Sequence, residues 1–198
     1  MNNQQHAMTK KRILLTARKA FFTYGFSKVT MDELASDLHM SKKTLYYFFQ
    51  SKQLLLEAVI LDFFQEFQKK VHQIMVHKRV SGSDILKKFM TLVQSQLSQL
   101  NVKAFEDIRK SNPRTWQKIM QYREKMINNE LRKIIQKGIK EGIIRPDIDL
   151  DIIVLVILNT IQSIAVPEVF SQFSYSNKDI IEMIAKIVMG GIINQDTA

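Results

Sequence analysis

The chain has 198 residues, 45% of them hydrophobic and 24% charged, the balance of a soluble globular protein with enough length to bury a core. It has no cysteine and only 6 Gly and 3 Pro, which excludes disulfides, thiolate zinc sites and cysteine nucleophiles and argues against a turn-dense sheet protein. The formal net charge is +10, of which residues 1–52, with nine bases against three acids, hold +6; a polyanionic partner is therefore expected at the N-terminal end, unless the charge is only a solvated surface.

In chain order, Ile13, Ala17, Ala20, Phe21 and Tyr24 recur at helical spacing between a cap at Thr9 and a C′ residue at Gly25. The residues ahead of Thr9, His6 included, read as a disordered tail without a signal-peptide core. Thr30 and Glu33 form a capping box that opens a two-turn helix through Met31, Leu34, Ala35 and Leu38. After a break at His39-Met40, Ser41 caps a short helix from Lys42 to about Phe49. Ser51 then caps a long amphipathic helix from Lys52 to about His77. Further helices are expected from Asp84 to about Leu100, from Val102 to Lys110, and from the Asn112-Pro113 start signal to Gly138 or Gly142. An apolar helix from Leu150 to Val166 precedes Pro167, and a last helix, capped by Asn177, runs from Lys178 to Ile193. The longest apolar stretch, Ile152–Leu158, is far short of the roughly 20 residues that span a bilayer, so a cytoplasmic protein with no membrane partner is expected.

The segment from Met31 to about Phe49 has what a helix-turn-helix requires: two short helices joined by about three residues and packed near a right angle. Ala35 is the small residue at the crossing. Leu34, Leu38, Met40, Leu45 and Phe48 are spaced to fill the wedge. His39 occupies the turn position that favours a left-handed backbone, a region where His is enriched among non-glycine residues. With the wedge buried, Lys42, Lys43, Thr44, Tyr46 and Tyr47 project outward, suited to phosphates, base edges and thymine methyls. The helix N-termini capped by Thr30 and Ser41 add free N–H groups for phosphate.

Thr30-Met-Asp-Glu-Leu-Ala35, Met40-Ser-Lys-Lys-Thr-Leu-Tyr-Tyr-Phe-Phe49 and Ser51-Lys-Gln-Leu-Leu55 resemble the N-terminal signature of the tetracycline-repressor (TetR) family, over about residues 10–56. The resemblance implies that Thr30, Tyr46 and Lys52 hold backbone phosphates and that Lys42, Lys43, Thr44 and Tyr47 lie nearest the bases. Family members commonly carry His where Phe48 stands, so one phosphate contact is missing or replaced. It also implies a homodimer paired through the last two long helices. The expected architecture is all-α: an N-terminal three-helix helix-turn-helix domain (1–52) and a larger C-terminal helical bundle (53–198) for ligand sensing, with dimerisation helices. A two-fold dimer would read a palindromic operator on double-stranded DNA.

The family's larger domain usually encloses a small-molecule pocket. Phe67, Phe89, Phe105, Trp116, Met120 and Met126 lie on helices that usually line it, although residues of these types are more often plain core than ligand contacts. Asn159, Gln162 and Ser163 place polar groups on an otherwise apolar helix and need partners, across a dimer seam, among themselves or on an effector. No metal or catalytic constellation stands out: His72 and His77 are five apart, wrong for one helical face, and no HExxH, GxSxG or phosphate-binding loop occurs. No cofactor and no enzyme activity are expected. The leading reading is a dimeric repressor released by a small effector. The alternatives are a helical carrier or enzyme with an incidental basic N-terminus, and a non-specific DNA-organising protein.

Overall fold

The computed structural model describes residues 3–76, 88, 89, 91–93, 95, 102–164, 174, 175 and 177–194. Among them the regular elements are all helices: α1 (Asn3–Tyr24), α2 (Met31–Asp37), α3 (Lys42–Phe48), α4 (Lys52–Val76), α5 (Val102–Ser111), α6 (Pro113–Lys140), α7 (Leu150–Ile164) and α8 (Asn177–Ile192). The all-α class is thus observed. Of the expected helix Asp84–Leu100, residues 88, 89, 91–93 and 95 are helical and the rest lie outside the described residues, as do His77, Pro167 and the side chains of Gln162 and Ser163.

Two boundaries differ from expectation. Helix α1 starts at Asn3, so Thr9 lies inside it and His6 is not in a tail. No Gly or Pro interrupts the chain there, and His6 finds ring partners on α3, described below. Asn177, expected as a cap, is the first residue of α8, a one-residue shift of the usual size.

The chain forms two compact units, one of Met1–Glu66 with Leu100–Gln121, the other of Phe67–Gln99 with Tyr122–Ala198. The unit that holds the helix-turn-helix therefore extends past residue 52. Phe22 on α1 explains why: its ring lies 5.6 Å from Phe63 on α4 and 5.2 Å from Phe105 on α5. Gln53 on α4 donates to the hydroxyl of Thr115 on α6 at 2.9 Å, and Thr115 is buried. Charge ties α1 to α4 as well. Lys11 reaches Asp62 at 2.9 Å and Glu66 at 2.8 Å, and Arg18 reaches the second oxygen of Glu66 at 2.6 Å.

In the second unit, Ile135, Ile144, Ile153 and Ile192 form a buried cluster against which Ile139, Ile157 and Val188 pack. Helix α6 leads to Gly142 at φ +74°, and the chain turns back so that Ile144 lies over Gly138. A Cβ on Gly138 would stand 2.6 Å from Ile144 Cδ1, so any larger residue there must displace the Ile144 side chain. The returning strand-like segment is pinned to the end of α8 by Arg145 N–H to Ile192 O (3.0 Å) and Asn194 N–H to Ile143 O (2.8 Å).

Candidate nucleic-acid interface

The turn between α2 and α3 is set by backbone bonds. His39 N–H donates to Ser36 O at 2.9 Å and Met40 N–H to Ala35 O at 3.0 Å, the paired bonds of a Schellman ending. This ending needs a left-handed C′ residue, and His39 supplies it at φ 51°. Arg12 from α1 donates to Leu38 O at 3.1 Å, placing a cation at the negative end of α2. Leu34, Ala35, Leu38 and Leu45 are buried and Met40 and Phe48 half-buried, so the expected wedge is in place. Phe49, which ends α3, is buried too and belongs with it.

With the wedge closed, the outer face of α3 is fixed. Lys42, Lys43, Tyr46 and Tyr47 are exposed, Tyr47 at 73%. Among the described residues Lys43 makes no ion pair and stands free to meet an anion. Lys42 is held by Asp32 at 2.7 Å, and that hydrogen bond raises its pKa above the usual lysine range. Ser41 accepts the Thr44 N–H at 3.0 Å, and the two hydroxyls lie 2.8 Å apart, so Thr44 shares its hydroxyl with the cap.

Of the expected phosphate clamps, Tyr46 is exposed, whereas Thr30 and Lys52 are pre-engaged. Thr30 donates its N–H (2.7 Å) and its hydroxyl (2.8 Å) to Glu33 and accepts the Glu33 N–H at 3.2 Å, which completes the capping box. The backbone hydrogen bond from Thr30 holds the Glu33 carboxyl below its ordinary pKa, so Glu33 remains an anion where a phosphate would approach. Lys52 lies over the ring of Phe26, 4.2 Å from its centroid. Burial pushes the Lys52 ammonium below the usual lysine range although Asp107 and Glu33 act to raise it.

Asp107 is the residue that sequence reasoning missed. It lies on α5, yet its carboxylate accepts the N–H of Ser27 at 2.6 Å in the turn between α1 and α2. In the same turn Gly25, at φ +92°, leaves room for that carboxylate: a Cβ there would stand 3.1 Å from Asp107 Oδ2. Ser27 and Asp107 are 80 positions apart, and no local pattern announces such a pair.

The candidate pocket residues divide between the units. Phe105, Trp116 and Met120 are half-buried in the first, where the Phe105 and Trp116 rings lie 6.2 Å apart. Phe67 and Phe89 are buried in the second with rings 6.4 Å apart. Asn159 is exposed and donates to the Leu155 carbonyl of its own helix at 2.8 Å; its polar group is neither buried nor orphaned in the single chain. Among the described residues no group of three His, Asp or Glu could hold a metal ion, and no helix is long and apolar enough to cross a membrane.

A three-helix module with a closed wedge, a basic and aromatic outer helix and capped N-termini defines a helix-turn-helix DNA-binding protein. The chain matches, over residues 13–59, the family described as bacterial regulatory proteins, tetR family. It is 27% identical over 138 residues to the HTH-type transcriptional regulator YhgD of Bacillus subtilis (strain 168), covering 69% of this chain and 72% of that one. It is 24% identical over 163 residues to the HTH-type transcriptional repressor KstR2 of Mycolicibacterium smegmatis, covering 79% and 77%. A transcriptional regulator from Saccharomonospora viridis, solved in complex with choline, shares the fold at a TM-score of 0.76 and 17% identity, over 96% of this chain and 100% of that one.

Proposed function

We propose that the protein represses transcription as a homodimer on a palindromic operator and that a small apolar or amphipathic molecule releases it. The observation that carries the reading is the outer face of α3, where Lys43 and Tyr47 stand exposed on a helix whose inner face is buried. One seven-residue helix reads only a few base pairs, so a second copy is needed for a useful site. The pairing surface is supported by α7 and α8. Ile152, Leu155 and Val156 on α7 and Met183 and Ile187 on α8 are exposed in the single chain, Ile187 at 75%. Both helices already bury their other faces in the isoleucine cluster, and a second copy is the occupant with a matching apolar surface. Asn159, one turn beyond Leu155 and Val156, would then lie within this seam, where a polar residue sets register.

Release by an effector is supported by the hold of α5 on the α1–α2 turn through Asp107. A ligand among the aromatic residues of α5 and α6 has a direct mechanical route to that turn and so to the phosphate-facing residues. Repression is the role named for the KstR2 relative, and a small cation is bound by the S. viridis protein. The test is a mobility shift of the gene's own upstream region, repeated with fatty acids, sterols and quaternary amines. The expected result is a discrete complex that one class abolishes; a complex indifferent to every class would leave binding intact and overturn effector release.

A further inference from the structure

The first two turns of α1 precede the segment that matches the tetR family, which begins at residue 13, and they lie against the recognition helix. The His6 ring sits 4.7 Å from the ring of Phe48, inclined by 33°. It meets the Tyr47 ring edge-on at 6.2 Å and 84°. Tyr47 and Phe48 meet each other at 5.4 Å and 88°. The three rings close a triangle. One turn further along α1, Lys10 stands 6.0 Å from the ring of Phe49, and two turns on Ile13 is fully buried. One face of α1 thus follows the C-terminal half of α3 from His6 inward.

This placement matters for Tyr47. A tyrosine 73% exposed near the end of a seven-residue helix would sample several rotamers, and ordering it on DNA would cost entropy. Edge-to-face contact with two rings, one of them from another helix, restricts that ring before DNA arrives. We propose that His6 is a specificity-determining positioning residue: its ring holds Tyr47, through the Phe48 triangle, in the orientation presented to the base edges. The inference rests on the reading of Tyr47 as a base-contacting residue.

The test begins with a duplex selected by the wild-type protein from a randomised library. Affinities for it and for a scrambled duplex of equal composition are then measured by fluorescence anisotropy across a salt series. His6→Ala is expected to lower the ratio of selected to scrambled affinity about fivefold, with scrambled binding and the salt slope unchanged. His6→Phe, which keeps a ring, is expected to retain the ratio within about twofold. Circular dichroism melts accompany both variants, since a loss of fold would depress both duplexes together. An unchanged ratio in His6→Ala overturns the inference, and so does failure of His6→Phe to rescue. Equal loss on both duplexes with a salt slope lower by about one also overturns it, because His6 would then be touching a phosphate. A wild type that prefers no duplex would instead bring down the reading of Tyr47 itself.

Discussion

Asp32 and Glu66 show how individual charges are allotted in the DNA-binding unit. Lys42, which the family resemblance implies lies near the bases, is tied to Asp32 at 2.7 Å and would have to break that pair to reach DNA. Exposed ion pairs are weak, so the pair tempers affinity without blocking it. Asp32→Asn is expected to tighten binding to any duplex about twofold to fivefold in 0.1 M salt and to steepen the salt slope; weaker binding in anisotropy titrations would contradict this. Glu66 joins α1 to α4. Desolvation pushes its carboxyl up, but hydrogen bonds from Arg18 and Lys11, with their charges, outweigh this and lower it from 4.5 to about 2. A depressed carboxylate stabilises the fold fully above its ordinary pKa and loses that contribution as protons bind. The stability gap between wild type and Glu66→Gln should therefore be constant above about pH 4.5 and shrink as pH falls toward about 2. Thermal melts over that range measure it; a gap that widens in acid would contradict the assignment.

The short elements were legible because their signals are local. Thr30 with Glu33, Ser41 before Lys42 and Asn112 before Pro113 each mark a helix start within a few residues, and all three stand. His39 was readable as left-handed because the turn length demanded such a residue. What stayed hidden is non-local. Nothing near Asp107 indicates that it caps a turn 80 residues earlier, and nothing near His6 indicates rings waiting on α3. The start of α1 was misplaced for the same reason, since tertiary contact extends a helix beyond its last amphipathic residue. Gly138 is of this kind too: within α6 it looks like a weak point, yet it accommodates Ile144. Gly138→Ala should cost about 1–3 kcal/mol by overpacking, more than the roughly 1 kcal/mol that alanine returns through helix propensity. Urea unfolding will register the difference as a lower midpoint, whereas a raised midpoint would mean that Ile144 yields freely.

For the whole molecule, the proposed dimer turns one short reading helix into two. Leu155, 54% exposed, contributes little to the core of its own chain, so Leu155→Asp should leave the fold intact. Sedimentation equilibrium is expected to show a monomer, with operator affinity lower by tenfold or more; a stable Leu155→Asp dimer would place the seam elsewhere.

The central claim is that the outer face of α3 reads sequence. Binding to a selected palindromic duplex and to random DNA, titrated with salt, tests it most directly. The account predicts a preference of about 10³ or more that persists as salt weakens both complexes. Equal affinity for the two duplexes across the series would contradict it.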